Sequence, residues 1–300
     1  MKKIYLLIIL FFQLSFAQND ALFTHYFFMP QAFNPASCAT NHLEAKGVVR
    51  MQWLGMNQGP RTQAFTINSS VDALKGGLGL YIINDKLGYE NIVQARLNYA
   101  YKHKLGYGKY ISIGAGIGVF NKNLNISELV FYDQTEPFAV NYPNKVTTYS
   151  LSAGIQAELD ELTIGLAGSY IDKNVAQSTF YKIPRHLYGY AKYNLYVSPD
   201  ITIEPNIGVR TTLFSFQPEV NINAYFKDKF WIGAAFRNQD AISGLIGLII
   251  KNKYKIGYSY DYNYSNVNMV SNGSHEFYLM GDLGDINPVK KAYKSPRFLQ

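Results

Sequence analysis

From Leu43 nearly to Asp282 the chain alternates apolar with small or polar residues in runs of about ten. The cleanest run puts Tyr149, Leu151, Ala153, Ile155, Ala157 and Leu159 on one face and Ser150, Ser152, Gly154, Gln156 and Glu158 on the other. Side chains of a strand point alternately to its two faces, so this pattern predicts strands with one greasy and one wet side. A tilted strand of about 9 to 11 residues crosses a bilayer. Alternation and turn residues together predict about 14 strands, near 43–52, 62–71, 76–84, 92–103, 110–121, 147–159, 162–171, 186–197, 200–211, 214–226, 229–237, 241–251, 253–263 and 273–282. The fold class is therefore all-β, a transmembrane antiparallel β-barrel of the outer-membrane type.

The connections strengthen this reading. With the mature amino terminus in the periplasm, every second connection should be a tight turn. The periplasmic set, 72–75, 104–108, 160–161, 198–200, 227–229 and 251–253, is uniformly short, whereas the outward set contains the longest gaps, 121–145, 172–185 and 264–272. A soluble sandwich or solenoid has no reason to sort its loops by parity.

The amino terminus reads as a secretory signal. Lys2 and Lys3 are followed by an apolar stretch from Ile4 to Phe12 and by small residues at Ser15-Phe16-Ala17, which predicts cleavage after Ala17. The organisation is then signal peptide 1–17, a periplasmic amino-terminal segment 18–41, the barrel 42–283 and a basic periplasmic tail 284–300. The aromatic run FTHYFFMPQAFNPASCAT in the amino-terminal segment lacks clean periodicity, and so many aromatic rings should either plug the barrel or pack on its inner mouth. Cys38, the single cysteine, cannot form an internal disulfide and is expected to be a half-buried thiol.

Composition changes the picture only slightly. A mean hydropathy of −0.10 fits a barrel with a polar lumen better than a bundle of apolar helices. The 25 tyrosines and 19 phenylalanines suit the aromatic girdles of such barrels. The net charge of +7 resides at the ends: Lys2 and Lys3 leave with the signal, and the tail holds Lys290, Lys291, Lys294 and Arg297. The body is left near neutrality, so a nucleic-acid partner is not expected.

Candidate chemistry is sparse. The five histidines, His25, His42, His103, His186 and His275, form no spacing that suggests a metal site. Ser274 and His275 are sequence neighbours and so point to opposite faces, which argues against a hydrolase pair at the outer rim. Gly114, Gly116 and Gly118 alternate with apolar residues on one strand, which predicts close packing on the lumen side rather than a phosphate loop. No catalytic residue, cofactor or metal ligand is expected. Arg96, Asn98 and Lys102, with Glu204, Asn206 and Arg210, could line a water-filled pore or fill a closed interior with salt bridges.

The leader and first hairpin carry a resemblance. Asn34, Pro35 and Ala36 follow the aromatic stretch, and Arg50, Gln52 and Trp53 end the first strand before a turn with Gly59, Pro60, Thr62 and Gln63. GLGLYIINDKLG (77–88), SNGSHEFYLMGDL (271–283, with His275 and Glu276) and SPRFL (295–299) complete a set that resembles the PorP/SprF family of type IX secretion system outer-membrane proteins of Bacteroidetes. The resemblance implies a non-enzymatic component of the secretion or gliding machinery that assists export or surface retention of cargo such as adhesins. Its implied partners are the type IX translocon with periplasmic components, the secreted cargo and outer-membrane lipid. The loop 121–145, with Phe131, Tyr132, Phe138 and Tyr142, offers an aromatic cluster for cargo, although folding inward to constrict the barrel is equally compatible. Trp53 and Arg61 are further candidate partner contacts. The alternative from another class is a diffusion channel or small-solute transporter.

Overall fold

Strands of this composition cannot bury their apolar face against one another inside a narrow ring, so the fold turns the usual arrangement inside out. The computed structural model describes residues 21, 23–40, 42–129, 144–172, 183–212 and 215–284. Its strands are β1 (Glu44–Met51), β2 (Arg61–Val71), β3 (Gly76–Leu87), β4 (Glu90–Gly106), β5 (Lys109–Leu124), β6 (Lys145–Leu159), β7 (Leu162–Ser169), β8 (His186–Tyr193), β9 (Leu195–Ser198), β10 (Ile201–Thr211), β11 (Phe216–Phe226), β12 (Phe230–Arg237), β13 (Ala241–Ile250), β14 (Tyr254–Asn263) and β15 (Ser274–Asp282). All pair antiparallel with their chain neighbours, and β1 pairs with β15 to close the ring. β8 and β9 are halves of one strand, both paired to β10 and interrupted at Asn194, whose N–H donates to the Glu161 carbonyl at 3.0 Å. The wall is thus a closed barrel of 14 strands. Closure removes the open sheet edges that a membrane could not solvate.

The alternation has the expected sense. On β13, Ile242, Ile246 and Leu248 are each more than half exposed, while Ser243 and Leu245 between them are buried. On β6, Tyr149 and Ile155 face out and Ser150 and Ser152 face in. No helix among the described residues is long and apolar enough to cross a membrane.

The connections sort by end as expected. One end, the turn end, carries the tight links; two of them, Lys227-Asp228 and Lys251-Asn252, hold both central residues at positive φ, the geometry of a two-residue hairpin turn. The opposite, loop end carries all the long ones, together with the short links 88–89 and 238–240. β3 to β6 run 12 to 17 residues, longer than the apolar runs 92–103 and 110–121 suggested. Their extra residues at the loop end are mostly polar on both faces, as in Asp85, Lys86, Glu90, Asn91, Lys122 and Asn123, so alternation fades there while pairing continues.

The lumen is filled. Of the two places open to the aromatic leader, it takes the interior: three short 3-10 turns, Tyr26–Phe28, Pro30–Ala32 and Pro35–Cys38, pack inside the wall. Prolines at the start of the second and third turns set φ for helix entry, and their missing N–H breaks the run into short pieces. Phe23, Phe27, Phe28, Met29 and Phe33 form the core with Tyr188, Tyr225, Trp231 and Tyr278 of the wall. The molecule's apolar core is therefore the contact between plug and barrel.

Candidate functional site

The plug runs from the loop end, where the Ala21 carbonyl accepts from Arg210, to the turn end, where the Ala39 carbonyl accepts from Lys102. It is fastened at its two ends by different groups. At the loop end Glu276 of β15 spends all its lone pairs on the plug and on Arg50. Its Oε1 accepts from the His25 N–H at 2.7 Å and lies 2.7 Å from His25 Nδ1; its Oε2 accepts from the Thr24 N–H at 2.8 Å and from Arg50 at 3.0 Å. Arg50 also donates to Asp261 at 2.7 Å, and the Thr24 hydroxyl donates to the same carboxylate at 2.9 Å. Arg237 extends the network to Glu219 at 3.0 Å and Asp240 at 2.8 Å, with Asp261 3.6 Å away. Arg50, Asp261, Glu276 and His25 are all within 1% of complete burial. The His25 ring stacks on Tyr278 and Phe28 and meets Trp231 edge-on.

Further down the plug the contacts are neutral and close. Asn34 caps the third 3-10 turn by accepting from the Ala36 N–H at 2.9 Å, and its amide donates to the Ile155 carbonyl at 2.9 Å and to the Tyr190 hydroxyl at 3.2 Å. A Cβ at Gly114 would collide with Pro35 and Ala36, and one at Gly77 with Ala39. The glycines read from sequence as lumen packing positions thus meet the plug backbone at Gly114, whereas Gly116 makes room for Asn98 and Ser152 and Gly118 for Ala95 and Arg96. Cys38 is fully buried, not half-buried, because Ala36–Ala39 lies flat on this wall; its thiol points at the Gly77 carbonyl at 3.5 Å. Burial pushes that thiol up to about 12. Burial likewise raises the Tyr26 hydroxyl, with Glu219 adding to the effect.

The polar wall residues fill the interior instead of lining an open pore. Arg96 donates to the Gln31 and Ala32 carbonyls at 2.8 and 2.7 Å, Lys102 pairs with Glu158, and Glu204 faces Lys192 and Asn206. Below the plug, at the turn end, a cavity of about 250 Å³ remains, floored by Phe27, Pro30 and Phe33 and walled by Glu44, Lys46, Glu158 and Lys192.

The motif residues of the first hairpin have structural places. The Gln52 N–H donates to the Pro60 carbonyl at 2.9 Å, and a Cβ at Gly59 would lie 2.7 Å from the Gln52 carbonyl, so this tight crossing needs glycine. Trp53, at positive φ, donates its N–H to Ser274 Oγ at 3.1 Å, and Leu54 exchanges backbone bonds with residues 272 and 273. The loop is thereby tied to the start of β15. Thr62 points inward to Asp85, whereas Arg61 and Gln63 face out. His275 also faces out and bonds the Tyr258 hydroxyl at 2.7 Å, while Ser274 is buried on the other face. Phe131, Tyr132, Phe138 and Tyr142 lie outside the described residues, as do the expected signal sequence 1–17 and residues 285–300 of the expected tail.

Sequence reasoning missed Thr24, Glu219, Arg237 and Asp261. The available signal was a charged residue at an inward position of an otherwise neutral strand, as with Asp261 in YSYDYNY. Among the described residues no group of three potential metal ligands comes together.

Residues 15–280 match the family described as "Type IX secretion system membrane protein PorP/SprF". No curated protein gives a significant match. Among solved structures, the chain is similar to the CymD monoaromatic hydrocarbon channel, with a TM-score of 0.55 and 9% identity over 86% of this chain and 94% of that one. It is also similar to the Ralstonia pickettii toluene transporter TbuX, with a TM-score of 0.50 and 10% identity over 82% and 91%. At such identities the likeness concerns the barrel fold alone.

Proposed function

Since the chain belongs to the PorP/SprF family of type IX secretion outer-membrane components, we propose that it acts without enzymatic chemistry, as a docking element that assists export or surface retention of a cargo protein. The observation that carries this reading is the filled lumen. Residues 23–40 are anchored to β1, β4, β12, β14 and β15 by buried bonds, which suits a scaffold that presents its two ends to partners better than a pore that passes solutes. On this reading the loop end, including 130–143 and the Trp53 turn, meets cargo, and the turn end, with its cavity, meets periplasmic machinery. The protein reaches the outer membrane by cleavage of residues 1–17.

The test is to tag the protein, extract it in mild detergent and identify what co-purifies. Recovery of a large secreted protein or of translocon components is expected. Recovery of the barrel alone, together with a stable open conductance in planar bilayers, would replace this reading with the channel. Alanine at Phe131, Tyr132 and Phe138 should weaken cargo retention at unchanged membrane levels; unchanged retention would remove that loop from the account.

A further inference from the structure

The outward face of the β2–β3 hairpin changes character in three steps toward the loop end. Phe65 and Ile82, paired across the hairpin, are apolar and about two-fifths exposed. The next outward pair is Gln63 with Asn84, and the last is Arg61 with Lys86. Outward neighbours on the flanking strands are neutral: Met51 beside Arg61 and Asn91 beside Lys86. The nearest acids are engaged elsewhere, Asp85 with Thr62 on the inner face and Glu90 with Lys122 at 2.7 Å. Among the described residues neither Arg61 nor Lys86 has a carboxylate partner.

Two cations directly opposite each other on adjacent strands repel, and such pairs destabilise a sheet unless a counter-charge sits between them. Strand neighbours are about 4.8 Å apart, so one tetrahedral anion can accept from both. The vertical position narrows what that anion is. Cations four residues beyond the last apolar pair stand about 14 Å along the strand from it, about 10 Å in height at the usual barrel tilt. Long cationic side chains snorkel back toward the interface, and the headgroup layer adds about 5–8 Å to each side of the hydrocarbon. The exposed amide of Gln63 lies in between, where ester or sugar groups of a lipid would be.

We infer that Arg61 and Lys86, with Gln63, form a binding site for the phosphate of an anionic lipid in the leaflet at the loop end. The site depends only on the membrane position of the barrel and not on a role in secretion.

Purified protein would be mixed with phosphatidylglycerol or phosphatidylcholine and the retained lipid counted by native mass spectrometry. Phosphatidylglycerol should be retained preferentially, and the double variant Arg61→Gln/Lys86→Gln should lose at least about tenfold of that retention. Lys251→Gln/Lys253→Gln, altering lysines at the turn end, should retain as wild type. A second readout does not depend on lipid counting. In neutral detergent Lys86→Gln should raise the unfolding midpoint by relieving repulsion, and added phosphatidylglycerol should stabilise wild type but not the double variant. Equal retention of the two lipids, or full retention by the double variant, would overturn the site. Displacement of the lipid by inorganic phosphate at equal concentration would reassign it to a free anion and equally overturn the lipid.

Discussion

The two fastenings of the plug use opposite physics. At the loop end Thr24 and His25 are held by buried charges, with Glu276 serving two plug N–H groups and Arg50 at once. In the middle of the lumen Asn34 to Ala36 are held by neutral contacts, close fit against the Gly114 backbone and two amide bonds from Asn34 to the wall. The difference teaches how each fastening fails. A buried ionic network tolerates no missing member, because the partners left behind stay buried and unpaired. A close-packed contact made against glycine has no side chain to lose on the wall and suffers from addition.

Four substitutions sharpen this contrast. The largest effect is expected for Glu276→Ala, which leaves two backbone donors unpaired and Arg50 with Asp261 as its one close carboxylate, and should cost about 3–5 kcal/mol. Denaturant unfolding of the barrel in lipid vesicles measures it, and a loss below that of the cap variant below would refute the network's role. Gly114→Leu should come next. The added side chain occupies the space of Pro35 and Ala36, costing about 1–3 kcal/mol and expelling the plug, so limited proteolysis near residues 30–40 should become fast while the wall survives. Resistant digestion would mean the wall yields instead. Asn34→Ala removes the cap and the two amide bonds to Ile155 and Tyr190, at a cost of about 1–2 kcal/mol, visible as a smaller shift of the same unfolding midpoint.

The smallest effect is on pH. Because burial raises the Cys38 thiol from about 9 to about 12, the folded state keeps a proton that the unfolded chain releases. The associated stability is complete below pH 9 and is lost as pH rises from there to 12. Cys38→Ala should flatten that alkaline decline and leave neutral stability nearly unchanged. Wild-type Cys38 should also react slowly with maleimide until the plug is released.

How much was legible differs by element. The alternation of Tyr149 to Leu159 identified β6 because a membrane and a polar interior impose opposite chemistry on adjacent residues. Where that contrast fades, so does the reading: β4 continues to Glu90 through Asn91, and β5 to Leu124 through Lys122 and Asn123, residues polar on both faces. The leader had no period to read, since 3-10 turns broken by Pro30 and Pro35 repeat nothing. Arg96 and Arg210 were recognisable as inward, yet whether they faced water or protein was open. They turned out to bond plug carbonyls. Cys38 looked half-buried because nothing local tells how near the opposite wall lies.

The sequence by itself determined the class of fold, the number of strands, the sorting of turns and loops and the family, because each rests on local periodicity or on short runs of residues. Only the tertiary structure decided that the lumen is closed and by what. That closure joins Thr24 and His25 to residues more than 200 positions away, and contacts at such separation leave no period in the chain. They exist once the ring shuts between β1 and β15, when the plug and the last strands share one low-dielectric interior in which every charge must find its partner.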